Sequence, residues 1–423
     1  MRPAPKLAPK HATKFALNLA ALTLSTAAMA APALANDLAD KIGIQGDAWV
    51  NARYRYEHVA QDGIAKDANA HTVRTRVGYE TKDFKGFKLL GELEGNLNLG
   101  EENYNSRVNG RTNYPVVADP EGAEINRLHL TYTHDDQYQA VVGRQNIEFD
   151  NARHIGISDF RQNGRTFDAA RLNLLSYSSF NLEATYAYVD GIQTPLGSDA
   201  PNGHHDHDTH LLHANLDVGP MGKWAAYTYL IDTPDVANDS SATYGLRYTN
   251  VYPVKDILKL GVAAEFAYQK DYGHSTLDYD ARYYLAELNA QHKAVKYTAG
   301  YEVMTGEGGA GESFRTPLGR RHKHNGWADV FLTTPNTGLI DKYLKAETDF
   351  AFIEPKFANT KLAIAYHNYD AEKGSAAYGQ ELNAQLSHDF SEHVYGALTY
   401  ANYDTHGFSR DVERVWVTMG VKF

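Results

Sequence analysis

The chain contains no cysteine. Disulfides and thiolate metal sites are therefore excluded, and a secreted chain of 423 residues without staples must be held by an extended hydrogen-bonded architecture. Long apolar runs are also missing: past residue 35 nothing approaches about 18 consecutive apolar positions, which excludes helical membrane spans. Positive charge is the minority, with 41 basic against 52 acidic residues and a net charge of −11, a balance that speaks against nucleic acid as a partner. No Gly-x-Ser-x-Gly elbow, phosphate loop or HExxH helix occurs, so the chain is not expected to be an enzyme.

What is present begins with a leader. Arg2, Lys6, Lys10 and Lys14, with no acid among them, flank the start of an alanine-rich run that ends in Ala33, Leu34 and Ala35. This reads as a secretory signal over residues 1–35, followed by a single domain over 36–423. Tyrosine is abundant, with 29 copies beside 16 Phe and 4 Trp, and it suits surfaces that are apolar at one end and wet at the other.

Alternation with a period of two runs through the mature chain. In "GELEGNLNLG" Leu93, Leu97 and Leu99 share one face while Glu92, Glu94, Asn96 and Asn98 share the other. The same pattern recurs in "KYTAGYEVM" and "QELNAQLS". About 18 such strands can be marked, from 42–58 to 410–423, with the eighth at 208–218. Connections after even-numbered strands are short, whereas those at 59–70, 100–122, 146–164, 191–207 and 306–341, all after odd-numbered strands, are long. Segregation of short turns and long loops to opposite ends predicts an all-β, antiparallel transmembrane barrel in the outer membrane of a Gram-negative cell. A soluble sandwich also alternates, but has no reason to sort its loops this way. The last strand ends in Phe423 behind Val415, Val417, Met419 and Val421 on one face, a terminus suited to the outer-membrane assembly machinery.

In a barrel the polar face lines a wet lumen. Arg53, Arg55, Arg74, Arg76, Arg127, Arg171, Arg247, Lys345 and Arg414 are then inward basic positions, and Glu92, Glu94, Glu265, Glu302, Glu347 and Asp349 inward acidic ones. A lipid-facing Arg or Lys would cost about 2 to 4 kcal/mol at mid-bilayer, so regularly spaced arginines must face water. Either they pair with acids and stiffen the wall, or they select anions. The segment "GRQNIEFDNARHIGISDFRQNGRTFDAARLN" (143–173) adds Arg144, Arg153, Arg161 and Arg165 in and beside a loop of the length that folds into a porin lumen. The run "NGHHDHDTH" reads as a polar extracellular loop whose His204, His205, His207 and His210 are surface candidates for Zn²⁺. Oxygen-rich loops such as "EGNLNLGEEN" could take Ca²⁺, although no EF-hand spacing is present, and no other cofactor is expected.

Four segments resemble the alginate-export family of outer-membrane barrels: "DPEGAEINRLHLTY", "VGRQNIEFDNARHIG", "FRQNGRTFDAARL" and "FRTPLGRRHKHNGWADVFLTTPNTGLIDKY", with "RVGYETKDFKGFK" near the start. The resemblance implies an 18-stranded monomeric channel lined by Arg and Lys that conducts a polyuronate outward, with pore roles for Arg74, Arg127, Arg144, Arg153, Arg165 and Arg171. Partners would be an acidic polysaccharide or oligosaccharide, outer-membrane lipid and a periplasmic export scaffold. The chain is shorter than the alginate exporter and lacks its long periplasmic turn, which leaves a second reading open: an uptake porin for small anionic solutes or oligosaccharides.

Overall fold

The computed structural model describes residues 45–177, 181–255, 257–351, 353–354 and 357–423; the leader expected over 1–35 lies outside the described residues. The strands are β1 (Gly46–Gln61), β2 (Ala68–Thr81), β3 (Phe87–Asn98), β4 (Gly122–His134), β5 (Tyr138–Gln145), β6 (Thr166–Tyr177), β7 (Leu182–Gln193), β8 (His204–Asp217), β9 (Lys223–Ile231) and β10 (Ser241–Lys255). They continue with β11 (Leu258–Asp271), β12 (Asp280–His292), β13 (Val295–Met304), β14 (Leu339–Asp349), β15 (Thr360–Asp370), β16 (Ala377–Asp389), β17 (Val394–Thr405) and β18 (Val412–Lys422). Each pairs antiparallel with its sequence neighbours, and β1 also pairs with β18, placing Tyr54 opposite Met419 and His58 opposite Val415. The 18-stranded sheet is thus closed and has no edge.

Alternation decides the two faces. Leu93 and Leu97 are 60% and 61% exposed on the outside of β3, whereas Glu92 and Glu94, on the alternate positions, are 4% and 2% exposed inside. Leu382 and Leu386 of β16 likewise face out while Glu381 and Asn383 are buried. An outer belt of leucine, valine and tyrosine around a polar interior suits lipid outside and water inside. No helix among the described residues is long and apolar enough to cross a membrane. Outward aromatic rings pair toward both ends of the strands, Phe87 against Tyr132 at 4.6 Å and Trp224 against Tyr248 at 4.7 Å near the short turns and Phe266 against Tyr284 at 5.3 Å near the long loops, the wet-edged positions aromatic girdles occupy.

Two departures from pure alternation matter. A bulge opposite Glu92 and Leu93 inserts a residue in β4, so that Asn126 and Arg127 both reach Glu92. The expected His-rich loop is also mostly strand: β8 begins at His204, paired with Gln193, with His205 opposite Ile192. The loop expected over 191–207 shrinks to 194–203, and that over 59–70 to 62–67, because alternating polar residues continue the ladder past the membrane-facing part.

Candidate functional site

Two long loops fold into the lumen, 146–165 after β5 and 305–338 after β13. They lock to each other through backbone bonds, Gly156 N–H to Leu318 O (2.8 Å) and Arg320 N–H to Ala152 O (2.9 Å). Arg165 reinforces the seam, donating to the carbonyls of Pro317 (2.9 Å), Gly319 (3.2 Å) and Gly156 (3.3 Å). Burial with no carboxylate partner lowers its pKa to about 9, with Arg321 adding repulsion, so it remains cationic at neutral pH.

The narrow point is built on Phe160. Its ring stacks on His322 at 3.3 Å and 16°, meets Trp416 edge-on at 5.8 Å, and carries the Arg55 guanidinium 4.4 Å from its centre. Arg55 also donates to the Phe160 carbonyl (2.6 Å), and Arg53 donates to the same carbonyl (3.2 Å) and to Gln162 Oε1 (3.0 Å). Beside the stack Arg161 bridges Glu57 (2.8 Å) and Asp329 (3.0 Å), and Arg414 binds Glu57 from the other side at 2.8 Å. A second anchor joins Arg153 to Glu302 at 3.0 Å and to Asn325 at 2.8 Å. His154 meets Glu265 at 2.9 Å, where Tyr227 and Arg247 also converge.

These contacts divide the candidate cations into two groups. Arg76 with Glu94, Arg127 with Glu92, Arg144 with Asp168, Arg247 with Glu265, and Arg153, Arg161 and Arg414 as above are all neutralised locally. The loop 146–165 therefore does not present a bare cluster of positive charge, because acids more than 100 residues away in sequence meet it. Arg53, Arg55, Arg74, Arg165, Arg171 and Lys345 form no ion pair among the described residues: Arg74 donates to Asn51 (2.6 Å), Arg171 to Asn146 O (3.3 Å), and Lys345 lies 4.3 Å from the centre of the Tyr343 ring. Sequence reasoning missed Arg320, Arg321, His322 and Lys323, although "GRRHKH" is the densest basic run in the chain; period-two reading cannot show which way a loop turns.

The lumen is a string of chambers. A cavity of about 410 Å³ on the long-loop side and one of about 440 Å³ below it share Ser158, Phe160 and His322. The lower one shares Lys323 and Trp327 with a third, of about 510 Å³, toward the short turns. Arg53, Arg55, Arg320 and Lys323 line the middle chamber against one acid, Asp159. Basic side chains thus line each of the three chambers in turn.

Burial disfavours the Asp329 anion, but His322, Arg161 and Arg414 outweigh it and hold its carboxyl below the usual range. Burial pushes the His322 imidazole below the ordinary histidine value, with Arg161 and Arg55 opposing its protonation further and Asp329 favouring it. Both groups have folded-state values below their unfolded ones, so what they contribute to docking is complete at neutral pH and declines as acid protonates them. Single-channel conductance is expected to be flat from pH 8 to about 6.5 and to rise or become noisy only below that; a change confined to the alkaline side would contradict this assignment.

The four histidine candidates do not converge. Along β8 His205 and His207 point inward while His204 and His210 point outward, as strand alternation requires, and no cluster of three or more metal-ligating side chains occurs among the described residues.

No protein-family model matches the chain, and no curated protein matches it. The alginate-export resemblance thus gains no support from these comparisons. Solved structures do match. OccAB4 of Acinetobacter baumannii superposes with a TM-score of 0.72 at 15% identity, covering 90% of this chain and 98% of that one. OpdQ and OpdL of Pseudomonas aeruginosa give 0.68 and 0.66 at 12% and 16% identity, each covering 89% of this chain and 98% of the other. The chain has the 18-stranded barrel fold of these outer-membrane porins. At such identities the likeness speaks to fold alone.

Proposed function

We propose that the protein is a monomeric outer-membrane channel for passive entry of small anionic solutes. The observation that carries this reading is the unpaired basic wall, Arg53 and Arg55 at the Phe160 constriction and Lys323 between the lower chambers, facing a lumen narrowed to small cavities. Carboxylates would pass from one cation to the next, each contact strong enough to attract and weak enough to release. The likeness to the Occ and Opd porins supports a small-solute channel. Export of an acidic polysaccharide is the weaker reading, because a polymer needs a continuous bore and the two locked loops divide this lumen. Roles in the path for Arg74, Arg171 and Lys345 belong to the same proposal, whereas Arg127, Arg144 and Arg247 serve the wall through their acid partners.

Liposomes containing the barrel test it. Small monocarboxylates are expected to permeate and long polyuronate to be retained; release of entrapped polyuronate would favour export and overturn the small-solute reading.

A further inference from the structure

The 410 Å³ chamber above the constriction holds more than positive charge. Arg107, Arg161, Arg165, Arg321 and Arg414 line it, and Arg107, Arg165 and Arg321 have no carboxylate partner among the described residues. The chamber also holds two acids, Asp329 paired with Arg161 and Asp239 paired with Arg315, and beside them a neutral polar stretch. His205, His207 and Thr233 line it, and the Nε2 atoms of both histidines and the Thr233 Oγ1 are buried without any hydrogen-bond partner. His207 is 5% exposed and Thr233 2%. Buried polar atoms left unpaired cost about 1 to 3 kcal/mol each, and such atoms around a cavity mark where a ligand group would be satisfied.

The chemistry of these atoms says which group. Thr209 Oγ1 accepts the Asp232 N–H (3.0 Å), and its single proton can go either to the Asp232 carbonyl (3.3 Å) or to the His207 Nδ1 (3.0 Å), so either ring nitrogen of His207 can carry the proton. The His207 Nε2, buried at the chamber wall, is an acceptor in one tautomer and a donor in the other. A carboxylate only accepts and an ammonium only donates, so each satisfies one tautomer alone. A hydroxyl does both, and it meets His205, His207 and the Thr233 hydroxyl whichever atom carries the proton.

We infer that this chamber is a recognition site for hydroxylated carboxylates, in which Arg321 and Arg107 take the carboxylate while His205, His207 and Thr233 read hydroxyl groups. The inference rests on the lumen carrying small anions and adds a specificity that charge alone would not give. A simple aliphatic acid would leave the neutral stretch unpaired, and sites built to bond a hydroxyl discriminate strongly against analogues that lack it.

Gluconate and hexanoate, both six-carbon monocarboxylates, separate the two contributions in planar bilayers containing the intact barrel. The concentration that halves the chloride current is expected to be about tenfold lower for gluconate than for hexanoate in the wild type, and the ratio to fall to about twofold or less in His207→Phe. Thr233→Val, in the loop between β9 and β10, should shrink the ratio in the same direction and decides alone should the buried His207 variant fail to form a heat-modifiable barrel. Equal block by the two acids in an anion-selective wild-type channel would overturn the hydroxyl site and leave the anion channel standing. Retention of the full ratio in Thr233→Val and in a folded His207→Phe would overturn it as well. A cation-selective wild type would remove the underlying reading and the inference together.

Discussion

Arg161→Gln is expected to raise single-channel conductance several-fold and to make the open current noisy. Arg161 is 13% exposed and holds Glu57 of β1 and Asp329 of the loop 305–338 at once, from a position on the loop 146–165. Burial opposes its charge, but Glu57, Asp119 and Asp329 more than compensate and push its pKa upward. Removing one partner of a buried, hydrogen-bonded ion network costs about 3 to 5 kcal/mol, because the remaining charges stay buried and unpaired. At about 1.4 kcal/mol per factor of ten, docking of the loops would shift by roughly two to three orders of magnitude toward the open arrangement. Arg161→Lys keeps the charge but loses the fork that spans two carboxylates, so it should lie between wild type and glutamine. The barrel wall, held by an unbroken ladder, should keep its heat-modifiable migration in both variants. A conductance equal to that of the wild type in Arg161→Gln would show that the loops are held in place without this bridge.

The double substitution Lys323→Glu with Lys345→Glu should carry the largest change in selectivity. Lys323 lines both the middle and the lower chamber, and Lys345 lines the lower one. Neither amine forms an ion pair with a carboxylate among the described residues: Lys323 donates to the Asn151 carbonyl at 2.9 Å and Lys345 packs on Tyr343. Lys323 is exposed to the lumen, and its replacement gives up one bond between the loops while the seam bonds of Gly156, Arg320 and Arg165 remain. A water-filled passage walled by low-dielectric protein focuses the field of such charges, and reversing two of them should lower the chloride-to-potassium permeability ratio by roughly tenfold. A reversal potential in a salt gradient that does not move would place the selective charge elsewhere.

The barrel itself was legible in the sequence because closure imposes a period of two on every strand and sorts the connections by length. Leu93 and Glu92 announce opposite faces, and the structure places them so. Alternation also explains the inward arginines, and the length of the loop after β5 suggested its inward fold. What it could not show was pairing. Glu57 lies 104 residues before Arg161 and 357 before Arg414, and nothing local to any of them indicates that they meet. The basic residues of the loop 305–338 were hidden for the same reason, since a loop has no periodicity to fix its direction. The histidine run shows the opposite limit: its composition reads as a polar loop with four metal candidates, whereas most of it is strand, which sends neighbouring side chains to opposite faces and separates His204 from His205. The bulge in β4 is a further limit, because alternation cannot show an inserted residue: Asn126 turns to Glu92 beside Arg127 instead of to the opposite face.

The sign of the ion that the open lumen prefers is the most direct test of the anion channel. Wild-type barrel in a planar bilayer under a tenfold potassium chloride gradient is predicted to reverse at a potential on the chloride side, despite the net charge of −11, because the unpaired cations of the chamber walls govern permeation. A reversal potential on the potassium side would contradict it.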